Sequence, residues 1–442
     1  MSFPRYPAYK NSGIKWLGEV PEHWEAVPLW TLFRRTKRTG FPDEELLSVY
    51  RDYGVVPKAS RDDNFNNASE DLTSYQLVEP RCLAINKMKA WQGSVGISRY
   101  RGIVSPAYFI YEPLHDCSSE YLHYLLRSLE YTAAYRMVSK GIRVNQWDLD
   151  PQYHSRLPVL LPPKAEQSVI AAFLDRETGK IDALVAEQEK LIGLLKEKRQ
   201  AVISHAVTKG LDPSAPMKDS GIKWLGKVPA HWDVKRLRFV ATINPPKSEV
   251  AGRDREEEVS FLPMEAIGYD GSLDLERTRT IGDVETGYTY FREGDVTIAK
   301  ITPCFENGKG AVMRNLIGGI GFGTTELIVA RPGEAEATSD FLYWLFASVL
   351  FRKRGEATMY GSGGQKRVPD DFVRDFSTGF PSVSEQSAIA AFLDEQTAKF
   401  DTLIAEAQRA IALLKEHRSA LISAAVTGKI DVRNCVALQE VA

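Results

Sequence analysis

The nearest approach to a catalytic signature in this chain is Asn244-Pro245-Pro246-Lys247. An adenine methyltransferase holds an extruded base with Asn/Asp-Pro-Pro followed by an aromatic side chain, whose face stacks on the base. Lys247 offers no such face, and no glycine fingerprint after a strand accompanies the run. It reads as a proline-rich turn. Residues 318–324, GGIGFGT, have the glycines of a phosphate loop but lack the lysine of GxxxxGK[ST]. Glu306 and Lys309 give the Glu-x-x-Lys of a metal nuclease, with no partner carboxylates at a fixed spacing. None of the seven histidines forms HExxH or pairs with a cysteine at ligand spacing, and Cys82, Cys117, Cys304 and Cys435 form no CxxC. The chain therefore reads as non-catalytic, with no metal and no cofactor of its own.

What the sequence does offer is residues suited to reading and gripping nucleic acid. Arg and Lys recognise guanine, Asn and Gln recognise adenine, and Lys, Arg, Ser and Thr hold phosphates. The first half supplies Lys87, Lys89, Trp91, Arg99, Arg101, Arg143, Asn145 and Gln146; the second supplies Lys300, Asn307, Lys309, Thr324, Gln365, Lys366 and Arg367. They fall in glycine-containing loops at the ends of expected strands and helices, where a rigid scaffold can present them. Taken singly, each is equally well a solvated loop charge. The densest basic run, Arg34-Arg35-Thr36-Lys37-Arg38, could track phosphates or face water.

Strands are expected at residues 46–50, 81–88 and 102–111, an amphipathic helix at 120–136, and a loop at 140–149. The second half replays that order at 295–301, 321–332, 340–356 and 361–372 with almost no identity, Lys300 answering Lys87. These divergent parts predict two mixed α/β (α+β) heads.

The positioning elements are the opposite: nearly identical. Residues 166–208 and 385–427 match at 27 of 43 positions at a constant offset of 219, and residues 12–24 repeat at 220–232. Such repetition means two copies of one structural unit. Apolar residues recur at three- and four-residue steps, with Ile181, Leu184, Leu191, Leu195 and Val202 answered by Leu403, Ile411, Leu414 and Leu421 as candidate helix-pairing positions. The short linker after the first copy favours antiparallel pairing. The expected domains are residues 1–161 (with framework segment 12–24), a spacer at 162–212, residues 213–380 (with 220–232), a second spacer at 381–431, and a tail at 432–442. Trp16, Trp24, Trp224 and Trp232 belong to the repeated framework, and so read as packing anchors rather than base stackers.

Length suits two or three domains, and no apolar run is long enough to span a bilayer. The dispersed cysteines and the lack of a signal-peptide layout point to a reducing cytoplasm. A net charge of −2 excludes a bulk polycation, so any DNA surface must be local.

The motifs GIKWLGxVPxHW, EQSxIAAFLD and LLKExR-x-A-x-IS-x-AVT, each present twice, resemble the specificity subunit of type I restriction–modification systems. So do the head segments LLSVYRDYGVV, NKMKAWQGSVGISRYRGIVSP and AKITPCFENGKGA. The resemblance runs from about Gly13 to Asp431. It implies two target recognition domains, each reading half of a bipartite duplex site, separated by two long helices forming an antiparallel coiled coil with pseudo-two-fold symmetry. It further implies two modification subunits, which bind S-adenosylmethionine and methylate adenine at N6, and up to two restriction subunits using ATP and Mg. Two other readings remain: a coiled-coil scaffold whose heads bind proteins, and a self-contained modification or cleavage enzyme.

Overall fold

The computed structural model describes residues 3–61, 68–143, 146–362 and 364–435. It divides into two compact units, Met1–Glu189 with Arg409–Ala442, and Lys190–Gln408. Each unit therefore holds one head and half of each long helix.

Those helices are Lys164–Lys209, of 46 residues, and Val383–Val426, of 44. The first begins directly after Pro163 and the second one residue further on from Pro381, prolines that lack the N–H a further helical turn would need. In the first unit Arg418 meets Asp182 at 2.9 Å; in the second, Arg199 meets Asp401 at 3.2 Å. As one helix advances from 182 to 199 its partner runs back from 418 to 401, so the pairing is antiparallel. Ile181 and Leu421 are buried in the seam, while Leu195, Val202, Ile411 and Leu414 are half-buried. Leu184, Leu191 and Leu403, expected in the seam, are instead 46%, 42% and 47% exposed. A pair of helices buries a narrower stripe than the sequence paints, so the flanking leucines face outward.

Each head is built on a four-stranded antiparallel sheet with the same strand order. In the first unit it runs Phe33–Thr36, Tyr108–Pro113, Leu83–Asn86, Val95–Ile97. In the second it runs Ala241–Ile243, Leu327–Pro332, Val296–Ala299, Gly310–Val312. The second unit adds a further four-stranded sheet, in which Glu258–Leu262 lies parallel to Ile320–Gly323. Strands Pro158–Leu161 and Ser377–Phe380 close the heads by pairing with Glu25–Pro28 and Asp233–Arg236 immediately before the long helices.

Several local expectations are corrected. The strand expected at 102–111 is two, Gly102–Val104 and Tyr108–Pro113, because Pro106 cannot donate to a ladder. Residues 321–332 likewise divide, into Ile320–Gly323 and Leu327–Pro332. Each amphipathic helix is a helix pair: Ser119–Leu126 with Leu129–Met137, and Ser339–Ala347 with Val349–Glu356. Ser128 and Ser348 occupy the breaks, and the Ser348 hydroxyl accepts from the Phe351 N–H, starting a new helix rather than continuing the old. The loop expected at 140–149 is a hairpin of Ser139–Arg143 and Gln146–Leu149 with an irregular register. Its mixed polar composition hid the alternation that a strand needs.

The repeated motif fastens head to helix. Trp24, fully buried, donates its indole N–H to Glu166 at 2.9 Å; the Tyr6 hydroxyl donates at 2.6 Å and His23 lies at 2.8 Å from the same carboxylate. In the second unit Trp232 donates to Glu385 at 3.0 Å and His231 lies at 2.8 Å. Gln167 and Gln386 next in sequence accept from the backbone N–H of Ser118 and Thr338, where each helix pair starts. Trp16 and Trp224 pack on Tyr131 and Phe376, with ring centroids 5.2 Å apart in each case. The four tryptophans are packing anchors.

Candidate nucleic-acid interface

In the first unit, strand Leu83–Asn86 leads through Lys87 and Lys89 into a short helical turn, Ala90–Gln92, that carries Trp91. The hairpin docks on this turn: Leu149 N–H donates to the Lys87 carbonyl, and the Trp91 and Trp147 rings lie 5.3 Å apart. The Arg136 guanidinium sits 5.4 Å over Trp147, and Lys140 lies 4.9 Å over Tyr153. Lys87, Lys89 and Trp91 thus share one surface with Arg136, Lys140, Trp147 and Tyr153, four residues the sequence reading did not single out. Trp147 was visible in it as the one aromatic of an expected Gly/Arg/Asn/Gln loop. The backbones of Arg143 and Gln146 pair across the same hairpin. Asn145 and the side chains of Arg143 and Gln146 lie outside the described residues.

Arg99 and Arg101 are not on this surface. Leu83 pairs with Ile97, so these arginines lie beyond the far end of the strand, an end itself roughly 13 Å from Lys87 at ~3.3 Å per residue. Arg101 is also committed to two carboxylates, Glu44 and Glu79, each at 2.8 Å. The basic run is likewise paired across strands: Arg34 meets Glu112 at 3.1 Å, Arg38 meets Glu79 and Glu112, and Arg35 stacks 4.2 Å from Phe109.

The second unit gathers its candidates more completely. Val368 N–H donates to the Lys300 carbonyl, the counterpart of the Leu149–Lys87 bond. The Thr302 hydroxyl accepts from the Lys366 N–H and donates to the Gly364 carbonyl, tying the loop of Gln365, Lys366 and Arg367 to the turn that holds Asn307 and Lys309. Gln365, Lys366 and Asn307 are exposed. Lys309 lies 5.0 Å over the exposed Tyr269 ring. Arg367 forks onto both oxygens of Glu326 at 2.7–3.1 Å, and this hydrogen bonding holds the Glu326 carboxyl below its usual value. Thr324 caps the turn by accepting from the Glu326 N–H at 3.3 Å. Arg367 and Thr324 therefore shape the loop, leaving Lys300, Asn307, Lys309, Gln365 and Lys366 on its surface.

The catalytic look-alikes have structural partners. Asn244 accepts from the Val329 N–H and donates to Asp370 at 2.7 Å. Glycines 318 and 319 take positive φ in a turn ahead of strand Ile320–Gly323. Among the described residues no group of three His, Cys, Asp or Glu side chains could hold a metal ion.

No family model matches the chain. The EcoEI type I restriction enzyme specificity subunit of Escherichia coli is 38% identical over 216 residues, which is 48% of this chain and 35% of that protein. The EcoAI specificity subunit, also from E. coli, is 46% identical over 165 residues, 37% of this chain and 27% of that protein. The match thus spans about a third of the length of these two relatives. The EcoKI specificity subunit of E. coli K12 is 21% identical over 437 residues, 94% of this chain and 91% of its own length. A solved chain from work on complex assembly and conformational transition of the type I R-M system has a TM-score of 0.66 at 14% identity, covering 92% of this chain and 98% of its own. The HsdS subunit of Thermoanaerobacter tengcongensis gives 0.50 at 15% identity, covering 93% and 98%; these two likenesses bear on the fold alone. The chain is thus similar to type I restriction enzyme specificity subunits, over part of its length at 38–46% identity and over nearly all of it at 21–23%.

Proposed function

We propose that this chain is the DNA-reading subunit of a type I restriction–modification complex, each head recognising one half of a bipartite duplex site. One observation carries this: the same sheet and helix pair are built twice, yet the surface they present differs. The matched bonds to the Lys87 and Lys300 carbonyls put Trp147 where the second unit has Lys366. A constant frame with exchanged side chains is what different half-site sequences require.

In this reading the paired helices set the spacing of the half-sites and carry the partners. The repeat extends to outward positions that helix pairing does not need: Leu184 and Leu403, Leu194 and Leu413 are identical across the offset and all 46–65% exposed. Two copies of one surface suit two copies of one partner, the modification subunit. S-adenosylmethionine would bind there, ATP and Mg in restriction subunits, and no cofactor in this chain. No helix among the described residues is long and apolar enough to cross a membrane, in keeping with a cytoplasmic complex. Co-expression with the modification subunits, followed by sequencing of methylated adenines, tests the reading. It expects one split motif that disappears when this chain is deleted; a motif that persists would sink it.

A further inference from the structure

The two heads deliver the same side chain to the same place by different routes, and the sequence reading singled out neither copy. Strand Leu47–Tyr50 pairs antiparallel with Gly54–Pro57, and Leu46 beside it bridges parallel to Ile103. Strand Glu258–Leu262 pairs antiparallel with Thr278–Thr280 and parallel with Ile320–Gly323. These are corresponding hairpins, yet residues 51–53 close the first in a tight turn while residues 263–277 close the second in a long excursion. Each connection carries one exposed tyrosine: Tyr53 is 50% exposed and Tyr269 54%.

Both connections arrive at the turns that follow strands Leu83–Asn86 and Val296–Ala299. Gly93 and Gly308 stand in those turns at positive φ, two residues ahead of strands Val95–Ile97 and Gly310–Val312. In the first unit a Cβ placed on Gly93 would lie 3.6 Å from the Arg51 side chain, and one on Gly96 3.2 Å from the Gly54 backbone. Residues 51 and 54 thus rest on 93–96 with Tyr53 between them, next to the turn that carries Trp91. In the second unit Lys309, the residue after Gly308, lies 5.0 Å over the Tyr269 ring. A Cβ on Gly271 would meet the Tyr343 hydroxyl at 2.6 Å, so the excursion is pressed onto helix Ser339–Ala347, which steadies Tyr269.

Each tyrosine also carries a cation on its ring. The Arg61 guanidinium sits 4.0 Å over Tyr53, and the Lys309 ammonium 5.0 Å over Tyr269. A ring beneath a cation fixes where the charge sits, and the phenolic O–H at the ring edge supplies a second donor beside it. A single exposed aromatic is ordinary on a protein surface. Two of them in corresponding hairpins, built from connections of unlike length and sequence and each paired with a cation, mark a ligand that both heads meet.

We propose that Tyr53 with Arg61, and Tyr269 with Lys309, grip a phosphate of the DNA backbone beside the reading turn of each head. This rests on the DNA-reading function. Tyrosine hydroxyls, lysines and arginines are among the groups that bond phosphate oxygens. The backbone is favoured over a base because the pair is kept while its surroundings change: the turn beside Tyr53 carries Trp91, and the turn beside Tyr269 carries Asn307. Side chains that read bases must differ between unlike half-sites, whereas phosphates are the same under any sequence.

The test uses the complex with modification subunits, a duplex carrying its methylated motif, and an unrelated duplex. Tyr53→Phe and Tyr269→Phe each remove one hydroxyl from an exposed ring, and each weakens binding of both duplexes by the same factor, about tenfold. Their slope of log affinity against log salt is unchanged, because no charge is lost, whereas Arg61→Met and Lys309→Met each reduce its magnitude by about 0.9. The methylated motif keeps every base in all four variants. Unaltered affinity in both phenylalanine variants overturns the proposal, as does an unaltered slope in both methionine variants, which keep the test decisive should a ring variant fold poorly. Relaxation of one base position in either phenylalanine variant also overturns it, by making that tyrosine a base reader. These results are read against a wild-type complex that prefers its own motif; absence of that preference would instead sink the DNA-reading function itself.

Discussion

Glu166 and Glu385 perform the same fastening with unequal surroundings, so their removal has unequal cost. The Glu166 side chain is 6% exposed and accepts from two buried donors, the Tyr6 hydroxyl and the Trp24 indole, besides His23. Burial and Glu166 itself hold the Tyr6 hydroxyl far above its usual titration, so it remains a donor at any ordinary pH. Glu385 is 30% exposed, and of its partners only the Trp232 indole is buried; His231, 55% exposed, can turn to water. A buried donor left unmade costs about 1–3 kcal/mol. Glu166→Ala strands two, about 2–6 kcal/mol, and Glu385→Ala strands one, about 1–3 kcal/mol. Urea unfolding followed by far-UV circular dichroism reads the loss, and hydrogen exchange at the two indole N–H groups assigns it to a unit. Equal costs, or a larger cost at Glu385, would refute the reasoning that buried donors set the strength of the fastening.

Three further outcomes are expected. His154 is fully buried, which pulls it down to about 3, so the unfolded chain takes a proton first as pH falls. Its contribution is complete above about 6.5 and declines toward 3 by about 1.4 kcal/mol per pH unit; His154→Leu should remove that slope from urea midpoints measured between pH 6.5 and 5, and an undiminished slope would contradict it. Trp147→Ala breaks the ring pair with Trp91, and should degrade one half of the methylated motif while sparing the other, whereas degradation of both halves would argue for a folding defect. Leu184→Glu with Leu403→Glu changes two exposed positions, and should leave the unfolding midpoint within about 0.5 kcal/mol of wild type while abolishing co-purification of modification subunits; retained co-purification would move the partner surface elsewhere.

The long helices were legible because repetition and period agreed, and Asp182, Arg199, Asp401 and Arg418 then fixed an antiparallel register. The heads were legible as element types in order but not as boundaries. Pro106 and Ser348 each break an element whose apolar periodicity runs on across it, and periodicity outvotes a single residue in any window. The candidate site was legible chiefly at Lys87, Lys89, Trp91 and the turn holding Asn307 and Lys309. Arg101 and Arg367 were indistinguishable from free cations in the sequence, because Glu44, Glu79 and Glu326, which engage them, are distant in the chain. Leu184 and Leu403 show the same limit: spacing places a residue on a helix face but does not say how wide the partner's face is.

The first unit is stitched from two stretches far apart in sequence: its core includes Leu421, Ala425, Val426 and Val432, and the Asp431 N–H donates to the Pro4 carbonyl. The second unit is one uninterrupted stretch, Lys190–Gln408. During synthesis the head made first must therefore wait, its apolar floor uncovered, until Leu421 to Val432 have been made, while every residue of the second unit precedes them in the chain. Nascent chains halted before residue 409 should accordingly yield a protease-resistant later head and a digestible earlier one, an inversion of the usual order in which translation hands over finished domains.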